Sequence, residues 1–164
     1  MYAICAIISV PAHMWTEGLS TEPCLGPSPF KGEKMNEFQI LTASSNGLAE
    51  LFLTEIVGVK SYSFDPASSS YSVTGPGNRQ VIIQLPGDYG QADMPFWLKL
   101  HGLKQSQNVD KISGSIEVTV TQGDKLLSRL YSVPTDHPGE VLVKAFLLAL
   151  ISKDYEKPKP KSMK

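Results

Sequence analysis

Val141-Leu142-Val143-Lys144-Ala145-Phe146-Leu147-Leu148-Ala149-Leu150-Ile151 is apolar at ten of its eleven positions, with Lys144 the exception. A helix lying on one face of a sheet keeps a polar stripe toward water. This stretch has almost none, so protein, lipid or a partner must cover nearly every side of it. Crossing a bilayer takes about 20 apolar residues, so the stretch is too short to span one. The expected solution is a buried helix enclosed by the strands that precede it. Lys144 should then run its stem toward an opening at a helix end, or pair with an acid, because an unpaired buried ammonium costs too much.

Working outward, the strands just before the helix are the clearest in the chain. Ile116-Glu117-Val118-Thr119-Val120-Thr121 alternates β-branched and polar residues, the pattern of a half-buried strand. Gln122-Gly123-Asp124-Lys125 is a hairpin signal because glycine supplies positive φ. Residues 126–133 return as its partner. Pro138 suits the first turn of the helix, where its missing N–H is not needed, with Asp136 or His137 at the cap.

Further upstream, 37–42 reads as a short strand on the alternation of Phe38 and Ile40. In 48–57, Leu48, Leu51, Phe52 and Ile56 fit helical spacing, with Asn46 a candidate cap. The run passes unbroken into 59–64, however, and most of 51–64 is read as strand. Asp65-Pro66 opens a turn, residues 71–73 and 80–85 are strands, and Gly75-Pro76-Gly77-Asn78 joins them. Residues 88–95 and 104–114 are expected loops. Residues 96–103 alternate, which places Phe96, Leu98 and Leu100 on one face and Trp97, Lys99 and His101 on the other. The fold expected is α+β and mainly β. Six to eight strands would form an antiparallel meander or barrel, with a buried hydrophobic C-terminal helix. One domain covers 35–155, and no internal repeat is present.

The C-terminal segment resembles the tubby-like C-terminal superfamily, which includes the phospholipid scramblases and the LURP-one proteins. The likeness rests on Leu130-Tyr131-Ser132-Val133-Pro134, the helix from Glu140 to Ile151, and the closing Asp154-Tyr155-Glu156. Tyr71-Ser72-Val73 followed by Gly75–Asn78 is similar to a hairpin of that family. The resemblance implies an antiparallel barrel around its last helix and a non-enzymatic protein that engages anionic phospholipid or a protein partner. A barrel of about twelve strands needs more than the roughly 100 residues before the helix, at about 5–6 residues per strand plus loops. Only Asp136 and Glu140 stand where a calcium-binding acidic cluster would be, so calcium dependence is not implied.

Composition narrows the function classes further. The chain has 164 residues, 41% hydrophobic and 19% charged, with formal net charge −1. That balance argues against nucleic acid, which calls for a basic patch. Charge is nevertheless uneven. Lys157, Lys159, Lys161 and Lys164 face only Glu156 in 156–164, read as a basic disordered tail. These four lysines are the candidate contact with an anionic surface. Trp97, Lys99 and His101 are a candidate surface contact.

No catalytic or metal-ligating set is legible, and no cofactor is expected. The three histidines, His13, His101 and His137, have no metal-ligand spacing. Gly-x-Ser-x-Gly is absent, and Gly75-Pro76-Gly77 carries a proline and no following helix, so it reads as a turn and not a phosphate loop. A competing reading is a helix-grip carrier, in which a curved sheet closes over the helix around a small apolar ligand. The expected location is cytoplasmic or peripheral at a membrane, with no transmembrane span.

Residues 1–34 differ in character from the rest. An apolar run at 2–10 precedes an irregular stretch, without the charged n-region of a secretory signal. Cys5 and Cys24 both lie there, so the body has no disulfide framework. Lys31-Gly32-Glu33 directly before Lys34-Met35 is compatible with codons spelling AAGGAG, a bacterial ribosome-binding site. The expectation is a translated upstream extension that is disordered or loosely attached, with the native bacterial chain starting at Met35.

Overall fold

The computed structural model describes residues 34–159, and nearly all of the expected extension lies outside them. Asn36 opens the first helix, α1 (Glu37–Thr42). Its side chain accepts the Gln39 N–H while Gln39 bonds back to the Asn36 N–H, a capping box. The strand expected at 37–42 is therefore a helix. Phe38 and Ile40 alternate in sequence, but only Ile40 is buried and Phe38 is 75% exposed.

Ser44 caps α2 (Ser45–Leu51) through a 3.2 Å bond from the Gly47 N–H. The helix continues as a π-helical turn, Phe52–Val57, and Gly58 ends it at φ +79°. Leu48, Leu51, Phe52 and Ile56 all point into the core, so the helical spacing was the better guide and the strand expected over 51–64 is corrected. Its real strand content is β1 (Ser63–Asp65).

Two separate antiparallel sheets follow. The first has the order β1, β2 (Ser70–Gly75), β3 (Arg79–Gln84), with Tyr71 opposite Ile83 and Val73 opposite Val81. The second has the order β4 (Lys104–Val109), β5 (Ile116–Gln122), β6 (Lys125–Ser132). Its register puts Gln105 opposite Val120 and Val118 opposite Leu130, with a bulge between Val120 and Thr121. Among the described residues the strands close no barrel. The class is α+β, with two three-stranded sheets plus helices.

Between the sheets in sequence lies α3 (Met94–Leu100), where a strand was expected. Pro95 sits in its first turn, and helical periodicity redistributes the side chains. Trp97 and His101, four apart, now share a face, while Lys99 turns outward. Trp97 is 0% exposed and donates its indole N–H to the Ala92 carbonyl at 2.7 Å. The outward Trp97 of the sequence reading is thus corrected. Gly75 makes room for it, because a Cβ there would meet Val57 Cγ1 at 3.2 Å and Trp97 Cη2 at 3.5 Å.

Helix α4 (Pro138–Ile151) starts from His137 as N-cap with Pro138 in its first turn. It packs on β5 and β6, and also on α1, α2 and the π-helical turn. Val141, Val143, Ala145, Phe146, Leu147 and Ala149 are buried, and every other residue of 141–151 is half-buried. Its neighbours are thus a sheet and a set of short helices, in place of an all-strand enclosure. The Ser128 hydroxyl donates to the Ala145 carbonyl at 2.7 Å, and Gln105 Nε2 to the Leu142 carbonyl at 3.0 Å. Lys144 reaches the end of α1, where its ammonium donates to the Leu41 carbonyl at 3.2 Å. Carbonyls of a last helical turn have no partner within their helix, so a cation there satisfies one and suits the dipole.

Candidate ligand groove

His101 joins three parts of the fold. Its Nε2 lies 3.0 Å from the Ile56 carbonyl of the π-helical turn, and its Nδ1 lies 3.1 Å from the Tyr155 hydroxyl. A carbonyl only accepts, so Nε2 carries a proton and donates to Ile56, while Nδ1 pairs with the Tyr155 hydroxyl. The ring stands edge-on to Phe146, with centroids 5.5 Å apart at 85°. Ile56 offers its carbonyl because it is at the end of a helical segment that Gly58 terminates.

Beside this joint runs an open groove of about 340 Å³. Met35, Leu150 and Ile151 supply its apolar lining. Its polar lining is Lys34, Glu55, His101, Tyr155 and Lys157. The ion pairs among the described residues are Arg79–Asp93, Lys125–Glu156 and Arg129–Glu117. Lys34, Glu55 and Lys157 thus carry their charges at the groove without an ion-pair partner among the described residues. Two ammonium groups against one carboxylate over an aliphatic floor make a local excess of positive charge. Burial pushes the Tyr155 hydroxyl above its ordinary pKa, so it stays protonated over the physiological range.

The fold brings together two of the residues singled out in sequence, His101 and Lys157, and Trp97, Lys99 and Lys159 are not part of the groove lining. Lys99 is exposed in the last turn of α3, and Trp97 is core. Lys159 is exposed, while Lys161 and Lys164 lie outside the described residues. Glu55 and Tyr155 escaped the sequence reading. Tyr155 was visible there only as part of the Asp154-Tyr155-Glu156 closure.

Two other grooves are lined by the start of α4. One, about 410 Å³ and mainly apolar, is lined by Pro86, Tyr89, Met94, Pro138 and Leu142 among others. The other, about 260 Å³, includes Asp136, His137, Glu140 and Lys144. Among the described residues no group of three or more His, Cys, Asp or Glu side chains is placed to hold a metal ion. No helix among them is long and apolar enough to cross a membrane. The chain matches no protein-family model, no curated protein and no solved structure.

Proposed function

We propose that the chain is a non-enzymatic binding protein that engages anionic phospholipid through the groove beside His101. The observation that carries this reading is the pairing of Lys34 and Lys157, neither in an ion pair among the described residues, with an aliphatic floor of Met35, Leu150 and Ile151. A phosphate would meet the ammonium groups, and the first carbons of a chain would cover the floor. The resemblance of the strand–helix segment to the tubby-like group points the same way, although the open sheets do not supply the barrel that goes with it. Were the chain to start at Met35, the α-ammonium group of that residue would stand beside the groove in place of Lys34.

Sedimentation with phosphatidylcholine vesicles, with and without phosphatidylglycerol, tests the reading. The protein should pellet with the anionic vesicles and be released as salt rises, since exposed charges are screened over about 8–10 Å at physiological ionic strength. Lys157→Ala should weaken binding about fivefold, because a lysine near an anionic surface contributes about 1 kcal/mol. Equal pelleting with both vesicle types would refute the proposal. A second reading, a helix-grip carrier of a small apolar ligand, draws on the apolar groove at Pro86, Met94 and Leu142. A neutral apolar ligand protected from water there, with no vesicle preference, would favour it.

A further inference from the structure

Lys157 and Tyr155 border the groove from a segment with no regular secondary structure. His101 holds Tyr155, and the turn between β5 and β6 holds the residue before Lys157. Gln122, the last residue of β5, donates its amide N–H to the Glu156 carbonyl at 2.7 Å and accepts the Glu156 N–H at 2.9 Å. These are the two bonds a paired strand residue makes, supplied here by a side chain. Lys125 adds an ion pair to the Glu156 carboxylate at 2.8 Å. Pro158 lies against Gly102, where a Cβ would meet its Cγ at 3.3 Å.

Glu156 sits between the two tail residues that line the groove, so fixing its backbone fixes the position of Lys157. Neither Gln122 nor Lys125 lines the groove itself. We infer that Gln122 is a positioning residue for ligand binding: it clamps Glu156 so that the next residue, Lys157, is held at the groove. This rests on the phospholipid reading. It adds the β5–β6 turn to the binding apparatus, at a position no contact with the ligand would reveal.

The experiment compares full-length wild type, Gln122→Ala, Lys157→Ala and the double variant. It reads vesicle binding and, by NMR, hydrogen exchange of the Glu156 amide. Gln122→Ala should speed that exchange and weaken binding to phosphatidylglycerol vesicles about fivefold, matching Lys157→Ala. The double variant should be no weaker than Lys157→Ala alone, because both changes remove the same contact. Multiplied losses, about 25-fold together, would mean that Gln122 acts independently of Lys157 and would overturn the inference. So would wild-type binding by Gln122→Ala with a freely exchanging Glu156 amide. If wild type shows no preference for anionic vesicles and Lys157→Ala changes nothing, the phospholipid reading fails and the inference falls with it. A clamp without a binding role would instead leave anionic binding intact in Gln122→Ala.

Discussion

Phe146→Ala probes the core and the groove at once. The ring is 0% exposed at the middle of α4 and stands edge-on to His101. Truncating a fully buried phenylalanine costs about 3–5 kcal/mol, from lost transfer energy and the cavity left behind. Against a total of about 5–15 kcal/mol for an ordinary domain, that is a large fraction of what keeps the chain folded. For a domain of this size each kcal/mol moves the melting temperature by about 3–4 °C, so a fall of roughly 10–20 °C is expected. Leu148→Ala, at a half-buried position of the same helix, should cost roughly half as much, in proportion to the apolar area removed from water. Urea unfolding followed by tryptophan fluorescence measures both, with an unchanged m-value confirming that the two-state comparison holds. A loss below about 1 kcal/mol for Phe146→Ala at constant m would refute the packing described, since surface changes are of that size.

Gly139 lies against a backbone oxygen: a Cβ there would meet the Gly87 carbonyl oxygen at 2.2 Å. Gly139→Ala should therefore destabilise by about 1–3 kcal/mol, and a neutral result in thermal unfolding would show that the loop at Gly87 yields freely. Tyr71 is buried and donates its hydroxyl to Glu50 at 3.3 Å, and burial first, then the Glu50 charge, pushes its pKa up to about 12. The raised value means that its neutral form is favoured in the folded chain. Its contribution to stability is whole below pH 10 and is lost as pH rises toward 12. Urea unfolding across that window should show falling stability, with a shallower fall in Tyr71→Phe, and identical slopes would contradict the assignment. Removing residues 1–34 should leave the melting temperature nearly unchanged if they are an extension outside the domain. A fall of more than about 5 °C would show that they contribute to its packing.

The chain from 116 onward was legible because its signals are local. Residues 116–121 alternate cleanly, Gly123 supplies a positive φ of 58° at the turn, and the apolar run of α4 has no competing period. The N-terminal half was harder because its helices are short. Phe38 and Ile40 suggest a period of two, but two residues apart on a helix lie on opposite sides, as their unequal burial shows, and the deciding signal was the Asn36–Gln39 capping box. Residues 96–101 misled in the same way, since Pro95 in a first helical turn was the overlooked cue. β4 carries Lys104, Gln105, Ser106, Gln107 and Asn108, with no apolar alternation at all. It is a strand because β5 offers an edge to pair with, which no local pattern records. The groove needed the fold itself: Glu55, His101 and Tyr155 come from distant segments, and a carbonyl at the end of the π-helical turn joins two of them.

The most direct test is an NMR titration with a short-chain phosphatidylglycerol kept below its micelle concentration, with the same-chain phosphatidylcholine as control. The account predicts saturable shifts centred on Glu55, His101, Tyr155 and Lys157, strong for the anionic lipid and weak for the zwitterionic one. Shifts centred on Pro86, Tyr89, Met94 and Leu142, or equal responses to both lipids, would contradict it.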